Sequence, residues 1–320
     1  MGIQIIPPKD LLTYVNDLNA ICSKNHIPII FSPNEWKNYL ILDKTKKVWW
    51  YDGAENKINQ WLFNSFPDLK QKNTVRLYRF LPYARFNGLF STQSLRMSSM
   101  AANRKFNGPG EYEDYFKAIS LSYDKESIDN TAAKTYLMCF ISDWNKKYMW
   151  EKYVNHYEGF CIEVDISPKD PSNYFWNFRE VSYKDPSAYK WISDIIDSFK
   201  TKYNIDIVLP WSSFAYIYKG PNFKDEIETR IYIPEVSSGV FRSNYMDAIG
   251  NNFPTKQYVY DNGTYFYLDM PLKNNLFEID IKKVYLGKRT SDIELRRMES
   301  VLQNAGIPFD EICMCDTRLQ

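Results

Sequence analysis

The stretch Phe223-Lys224-Asp225-Glu226-Ile227-Glu228-Thr229-Arg230-Ile231-Tyr232 alternates polar and apolar side chains with a period of two. That is the pattern of a strand with one face turned to a core. Read as one strand, it sets Glu226, Glu228 and Arg230 on one face and Ile227, Thr229 and Ile231 on the other. Two carboxylates and a guanidinium on one sheet face are costly unless solvated, paired or used. Glu-x-Glu on a strand suits glycosyl chemistry, one carboxylate stabilising an oxocarbenium-like transition state and the other orienting a nucleophile or a ribose hydroxyl. A solvent-facing salt-bridge ladder explains the same residues, and Glu111-Tyr112-Glu113 repeats the spacing.

Working outward, further strands fall at Val75–Phe80, Tyr136–Phe140, Phe160–Asp165, Lys283–Leu286 and Glu311–Cys315. Gln257–Tyr260 and Tyr265–Leu268 flank Asp261-Asn262-Gly263-Thr264, where Asn-Gly signals a hairpin. Helices are expected over Lys146–Val154, Ser187–Tyr203 and Ser291–Gln303. Strands outnumber helices without alternating strictly with them, so the class is α+β with mixed, mainly antiparallel sheets. Ahead of these, residues 9–23 have helical spacing, Asn38–Asp43 and Val48–Asp52 read as a hairpin, and Glu55 to Phe66 reads as a helix stopped by Pro67. Residues 1–73 are therefore expected to form a helix–hairpin–helix extension, and residues 74–320 the main domain.

Charge narrows the function classes. Forty Lys+Arg against 39 Asp+Glu leave +1 over 320 residues, which argues against a generic polyanion binder or a protein held on a membrane surface by net charge. The charge is uneven: Thr74 to Gly110 holds no acid but contains Arg76, Arg79, Arg85, Arg96, Arg104 and Lys105. These are either a solvated face paired with acids elsewhere or a site for a phosphate or pyrophosphate. Aromatic residues make up 17% of the chain against only 12 Gly, which fits clefts walled by rings better than a glycine-rich phosphate loop. An odd five cysteines at irregular spacing read as reduced thiols of a cytoplasmic protein. His26 and His156 alone cannot build a polyhistidine metal centre, and no metal is expected. No apolar run approaches the ~20 residues of a membrane span, so no membrane partner is expected.

Several short motifs occur in an order that resembles an uncharacterised bacterial family, domain of unknown function 2971. They are Leu77-Tyr78-Arg79-Phe80, Phe106-Asn107-Gly108-Pro109-Gly110-Glu111 with glycine in place of the family's aspartate, and Cys139-Phe140-Ile141-Ser142. Met149-Trp150-x-x-Tyr153, Gly159-x-Cys161-Ile162, Tyr218-Lys219, Glu226-x-Glu228-x-Arg230 and Leu286-Gly287 follow. Phe223 and Thr229 depart from the family's usual tryptophan and tyrosine. The motif order is similar, more loosely, to the ADP-ribosyltransferase fold: an early strand arginine, a middle serine such as Ser142 or an aromatic element, and a late Glu-x-Glu. That resemblance implies sheets forming a cleft, NAD as the consumed substrate and a protein or nucleic-acid acceptor. It implies Arg79 on a phosphate of NAD, Glu228 on the nicotinamide ribose and its oxocarbenium ion, Glu226 orienting the acceptor, and Tyr78, Trp150 or Tyr153 stacking on nicotinamide. It further suggests a toxin or anti-phage effector, with residues 1–73 as a surface for self-association or for a defence-system partner. The competing expectation is a non-catalytic defence module whose basic stretch and aromatics bind nucleic acid or a phage protein. A metal-dependent nuclease built on Glu111, Glu226 and Glu228 ranks below both.

Overall fold

The computed structural model describes residues 8–32, 47–50, 68–102, 135–154, 156–173, 176–183, 185, 189–208, 217–234, 256–260, 263–289, 291–313, 316 and 318–319. The chain divides into two compact units, each assembled from separate segments: residues 1–67, 109–128 and 182–222 in one, and 68–108, 129–181 and 223–320 in the other.

In the first unit, α1 (Pro8–Lys24) follows the expected periodicity and buries Val15, Leu18 and Cys22. Asn19 ties the following extended segment to it by accepting from the Phe31 amide at 2.7 Å and donating to the Phe31 carbonyl at 3.0 Å. The strand expected near residue 48 is β1 (Lys47–Trp50). It pairs in parallel with β7 (Ile205–Val208), which directly follows the long amphipathic helix Lys190–Tyr203. Asn204, in the left-handed region at φ 53°, makes that sharp exit. Asn38–Asp43 and Glu55–Phe66 lie outside the described residues.

The second unit is α+β around one mixed, mostly antiparallel sheet. Its strands are β2 (Val75–Pro82), β3 (Ser94–Ser99), β4 (Thr135–Ile141), β5 (Gly159–Pro168), β6 (Asn177–Glu180), β8 (Glu228–Pro234), β9 (Lys256–Tyr260), β10 (Gly263–Pro271), β11 (Phe277–Gly287) and β12 (Phe309–Ile312). The main path runs β12-β11-β5-β2-β4-β3-β10-β9. β8 lies along the other edge of β4, with β6 beyond it. β11 and β12 are parallel, joined by the helix Asp292–Asn304, whose N-cap Ser291 accepts from the Glu294 amide. The hairpin signalled at 261–264 is present: β9 and β10 pair antiparallel, and β10 already begins at Gly263, opposite Tyr260.

β4 is the branch point. One of its edges is covered throughout by β8. The other is shared, Ile141 pairing with Tyr78 of β2 while Leu137 and Tyr136 pair with Ser98 and Ser99 of β3. The sheet therefore forks between β2 and β3. Alternation along each strand sends Leu77, Met138, Ile162, Val164, Ile231, Leu268 and Val284 into one large apolar core. The opposite face carries a smaller cluster of Trp150, Val154, Tyr157, Cys161, Tyr285 and Ile312, together with the charged residues of the candidate site. At the close of β11, a Cβ on Gly287 would stand 2.2 Å from the Tyr157 carbonyl oxygen. That contact gives the Leu-Gly motif a steric reason.

Candidate functional site

Glu226 and Glu228 are not on one strand. Glu226 ends a 3-10 turn, Pro221–Glu226, and β8 begins only at Glu228. Between them Ile227 sits at φ 47° with half its surface exposed. A β-branched residue in the left-handed region is an outlier costing roughly 1–2 kcal/mol. The kink corrects the single-face expectation: Glu228 and Arg230 share a strand face, whereas Glu226 is delivered by the turn.

Glu226 is nearly inaccessible, at 2% side-chain exposure. Its Oε1 accepts from the Tyr153 hydroxyl at 2.7 Å, the Tyr148 hydroxyl at 3.1 Å and the Lys152 ammonium at 3.2 Å. These donors come from the helix Lys147–Lys152 and its C-cap Tyr153. The i, i+4 spacing of 148 and 152 puts both on one side, where Lys152 also donates to Tyr148 at 2.7 Å. The Lys152 ammonium lies 4.8 to 5.1 Å from the ring centroids of Phe223, Tyr153 and Tyr148. The result is a carboxylate clamped by two phenol hydroxyls and an ammonium that lies beside three rings.

Glu228 is locked differently. Its Oε1 accepts from Nε of Arg230 at 2.7 Å and its Oε2 from Nη2 at 3.4 Å, with Arg230 wholly buried. Across the ladder Arg230 faces Arg179 on β6, which in turn pairs with Asp68 at 3.3 Å. Two buried guanidiniums opposite one another make the Glu228 carboxylate necessary for charge balance, and removing one member of such a set is costly.

Tyr78, Ile141 and Glu228 are cross-strand partners and share this face, with Tyr78 half-buried. Arg79 is one residue on and belongs to the other face. Its guanidinium lies 5.6 Å from the Phe140 ring centroid and fills the fork, donating to the Arg96 carbonyl at 3.1 Å and the Cys139 carbonyl at 3.5 Å. Burial pulls its pKa down to about 10, while the nearby Glu228 carboxylate works the other way. Trp150 is fully buried, stacked on Tyr157 at 5.6 Å and edge-on to Phe80 at 5.0 Å, with Nε1 donating to the Trp144 carbonyl. Trp150 and Tyr153 thus present no common aromatic edge, because the helix ends between them. Ser142 is exposed just past β4.

The site therefore gathers Glu226, Glu228 and Tyr153, with Tyr78 on the same face of the sheet as Glu228. Sequence reasoning missed Tyr148, Lys152 and the locking role of Arg230. The i, i+4 Tyr-Lys pair inside Lys147-Tyr148-Met149-Trp150-Glu151-Lys152 was the available signal. Of the basic stretch, Arg76 is paired with Asp165 at 2.8 Å and Glu163 at 3.3 Å, whereas Arg104 and Lys105 lie outside the described residues, as does the acidic Glu111. Among the described residues no three His, Cys, Asp or Glu side chains converge as metal ligands would.

Residues 149–231 match the family described as Protein of unknown function (DUF2971), and over that segment the chain is similar to it. The segment contains the Met-Trp-x-x-Tyr, Gly-x-Cys-Ile, Tyr-Lys and Glu-x-Glu-x-Arg motifs. Leu77–Phe80 and Leu286-Gly287 fall outside it. Comparison with curated proteins and with solved structures returned no match for the chain. No helix among the described residues is long and apolar enough to cross a membrane.

Proposed function

We propose that the chain is an NAD-consuming, ADP-ribosyltransferase-like enzyme. The reading rests on one observation: a strained, left-handed Ile227 wedged between two carboxylates withdrawn from water. Strain of this kind persists where the surroundings over-determine it and is concentrated at functional sites. In this reading the bond from the ribose C1′ to nicotinamide breaks, nicotinamide leaves with the electron pair, and an acceptor nucleophile closes on C1′ and gives up its proton to solvent. Glu228 holds the ribose hydroxyl and faces the positive charge as it develops. Glu226, poised by Tyr148, Tyr153 and Lys152, orients the acceptor, and Tyr78 or Tyr153 offers the ring for nicotinamide. Arg79 holds the strand fork beneath the site, and Trp150 packs behind it. An acceptor in a host or phage component would make the enzyme a toxin or defence effector.

The test is release of nicotinamide from labelled NAD in the presence of cell lysate. Wild type should release it, Glu228→Gln should lose at least ~100-fold, and Glu226→Gln should lose transfer to the acceptor more than hydrolysis. Circular dichroism must show both variants folded. No release by wild type, or unchanged release by Glu228→Gln, rejects the reading.

The Glu228–Arg230 pair favours a second reading, in which the motif is a structural ladder and the chain a binding module without catalysis. There Glu228→Gln lowers stability and leaves binding intact.

A further inference from the structure

One wing of the sheet, β3, β10 and β9, carries an unbalanced set of charges on a single face. Arg96 is in register with Asp269, and Lys256 with Tyr267, so these four side chains project together with Tyr258. The Arg96 guanidinium lies 3.7 Å from the Tyr267 ring centroid and 5.8 Å from that of Tyr258. Asp269 is already shared: Lys256 binds one oxygen at 2.9 Å and Arg96 approaches the other at 3.8 Å. Arg85, from the 3-10 turn after β2, is exposed and has no hydrogen bond or ion pair among the described residues. Partial burial, and then the positive charge of Arg96, lower its pKa. Arg96 and Lys256 share one carboxylate on a face floored by tyrosine rings.

We propose that this face binds single-stranded nucleic acid, with phosphates on Arg85, Arg96 and Lys256 and bases stacked on the tyrosine rings. An anion complements cations that outnumber the one carboxylate they share, and rings beside cations suit a strand whose bases are free to stack. A duplex keeps its base faces inside and gains nothing from the rings. A protein partner of standard size looks for an apolar centre, which this charged face lacks. The inference rests on neither reading of Glu226 and Glu228.

The full chain is titrated into a labelled oligothymidylate of about 16 nucleotides, read by fluorescence anisotropy at several salt concentrations. Binding should weaken with salt, with a slope of log K against log salt near −0.7 for each phosphate neutralised. Arg85→Gln should make the slope shallower by about 0.7, and Arg85→Gln with Lys256→Gln should weaken binding about tenfold or more. Both residues are exposed, so a melting curve should show the variants folded. No binding by wild type at the lowest salt overturns the proposal, as does an unchanged slope and affinity in the double variant. Competition by thymidine monophosphate or a duplex as effective as the unlabelled oligomer overturns it too. Nicotinamide release by the same variants should equal that of wild type, so the two proposals fail separately.

Discussion

Ile227 is the residue on which the candidate site turns. Its side chain is half-exposed, so little apolar burial is lost by trimming it, whereas its left-handed backbone is unfavourable for a β-branched residue. Glycine accepts that conformation, at some loss of unfolded-state restriction. We expect Ile227→Gly to raise the urea midpoint by an amount equivalent to up to ~1 kcal/mol. If the kink sets the spacing of the two carboxylates, nicotinamide release falls in the same variant. A lower midpoint would show that Ile227 is anchored by packing instead. The residues Glu226, Glu228 and Arg230 were legible in sequence as a group with chemistry. Their geometry was not, because alternation continues unbroken through 226–232 and nothing local announces a left-handed isoleucine. The three donors on Glu226 were hidden for a related reason: they lie more than seventy positions earlier in the chain.

At the scale of elements, the fork at β4 explains why Arg79 belongs where it is. Where two strands part, backbone carbonyls on the shared edge lose their ladder partners, and a guanidinium with five donors can serve both sides at once. Replacing Arg79 by methionine leaves the Cys139 and Arg96 carbonyls without that donor. We expect a loss of roughly 1–3 kcal/mol for a carbonyl so orphaned, read from denaturant unfolding. Arg79→Lys should recover part of it. A silent Arg79→Met would mean that water replaces the guanidinium. Long strands, whether alternating like β2 or continuously apolar like β4, could be read directly from sequence, as could the helix capped by Ser291. β3 and β6 could not: one is a serine-rich run and the other is four residues long, and both exist through their neighbours. β1 was visible as a strand, but its parallel partner lies beyond any local signal.

For the whole molecule, the near-zero net charge conceals many specific pairings. The Arg76 hydrogen bond holds the Asp165 carboxyl below its ordinary value, and Lys283 and Arg318 do so for Asp310 and Asp316 respectively. A carboxyl whose folded pKa is depressed contributes stability above its unfolded pKa, near 4, and loses it as pH falls through the folded value. The thermal midpoint should therefore stay nearly level from pH 7 to about 5 and decline below about 4. High salt should blunt the decline, since these pairs lie at the surface. A decline beginning near pH 6 would point to other groups. Class and charge pattern were readable from composition and spacing, whereas the assembly of each unit from separate segments was not, because nothing in a segment names its distant partner. That assembly has a consequence in time. β5 pairs on one side with β2 and on the other with β11, and Tyr285 reaches Glu163 across 122 positions. On the ribosome, β5 emerges with its second edge bare and waits on the order of ten seconds for β11. Through that interval an unpaired, apolar strand at the centre of the future sheet is open to other chains, so the step most in need of a chaperone comes midway through synthesis.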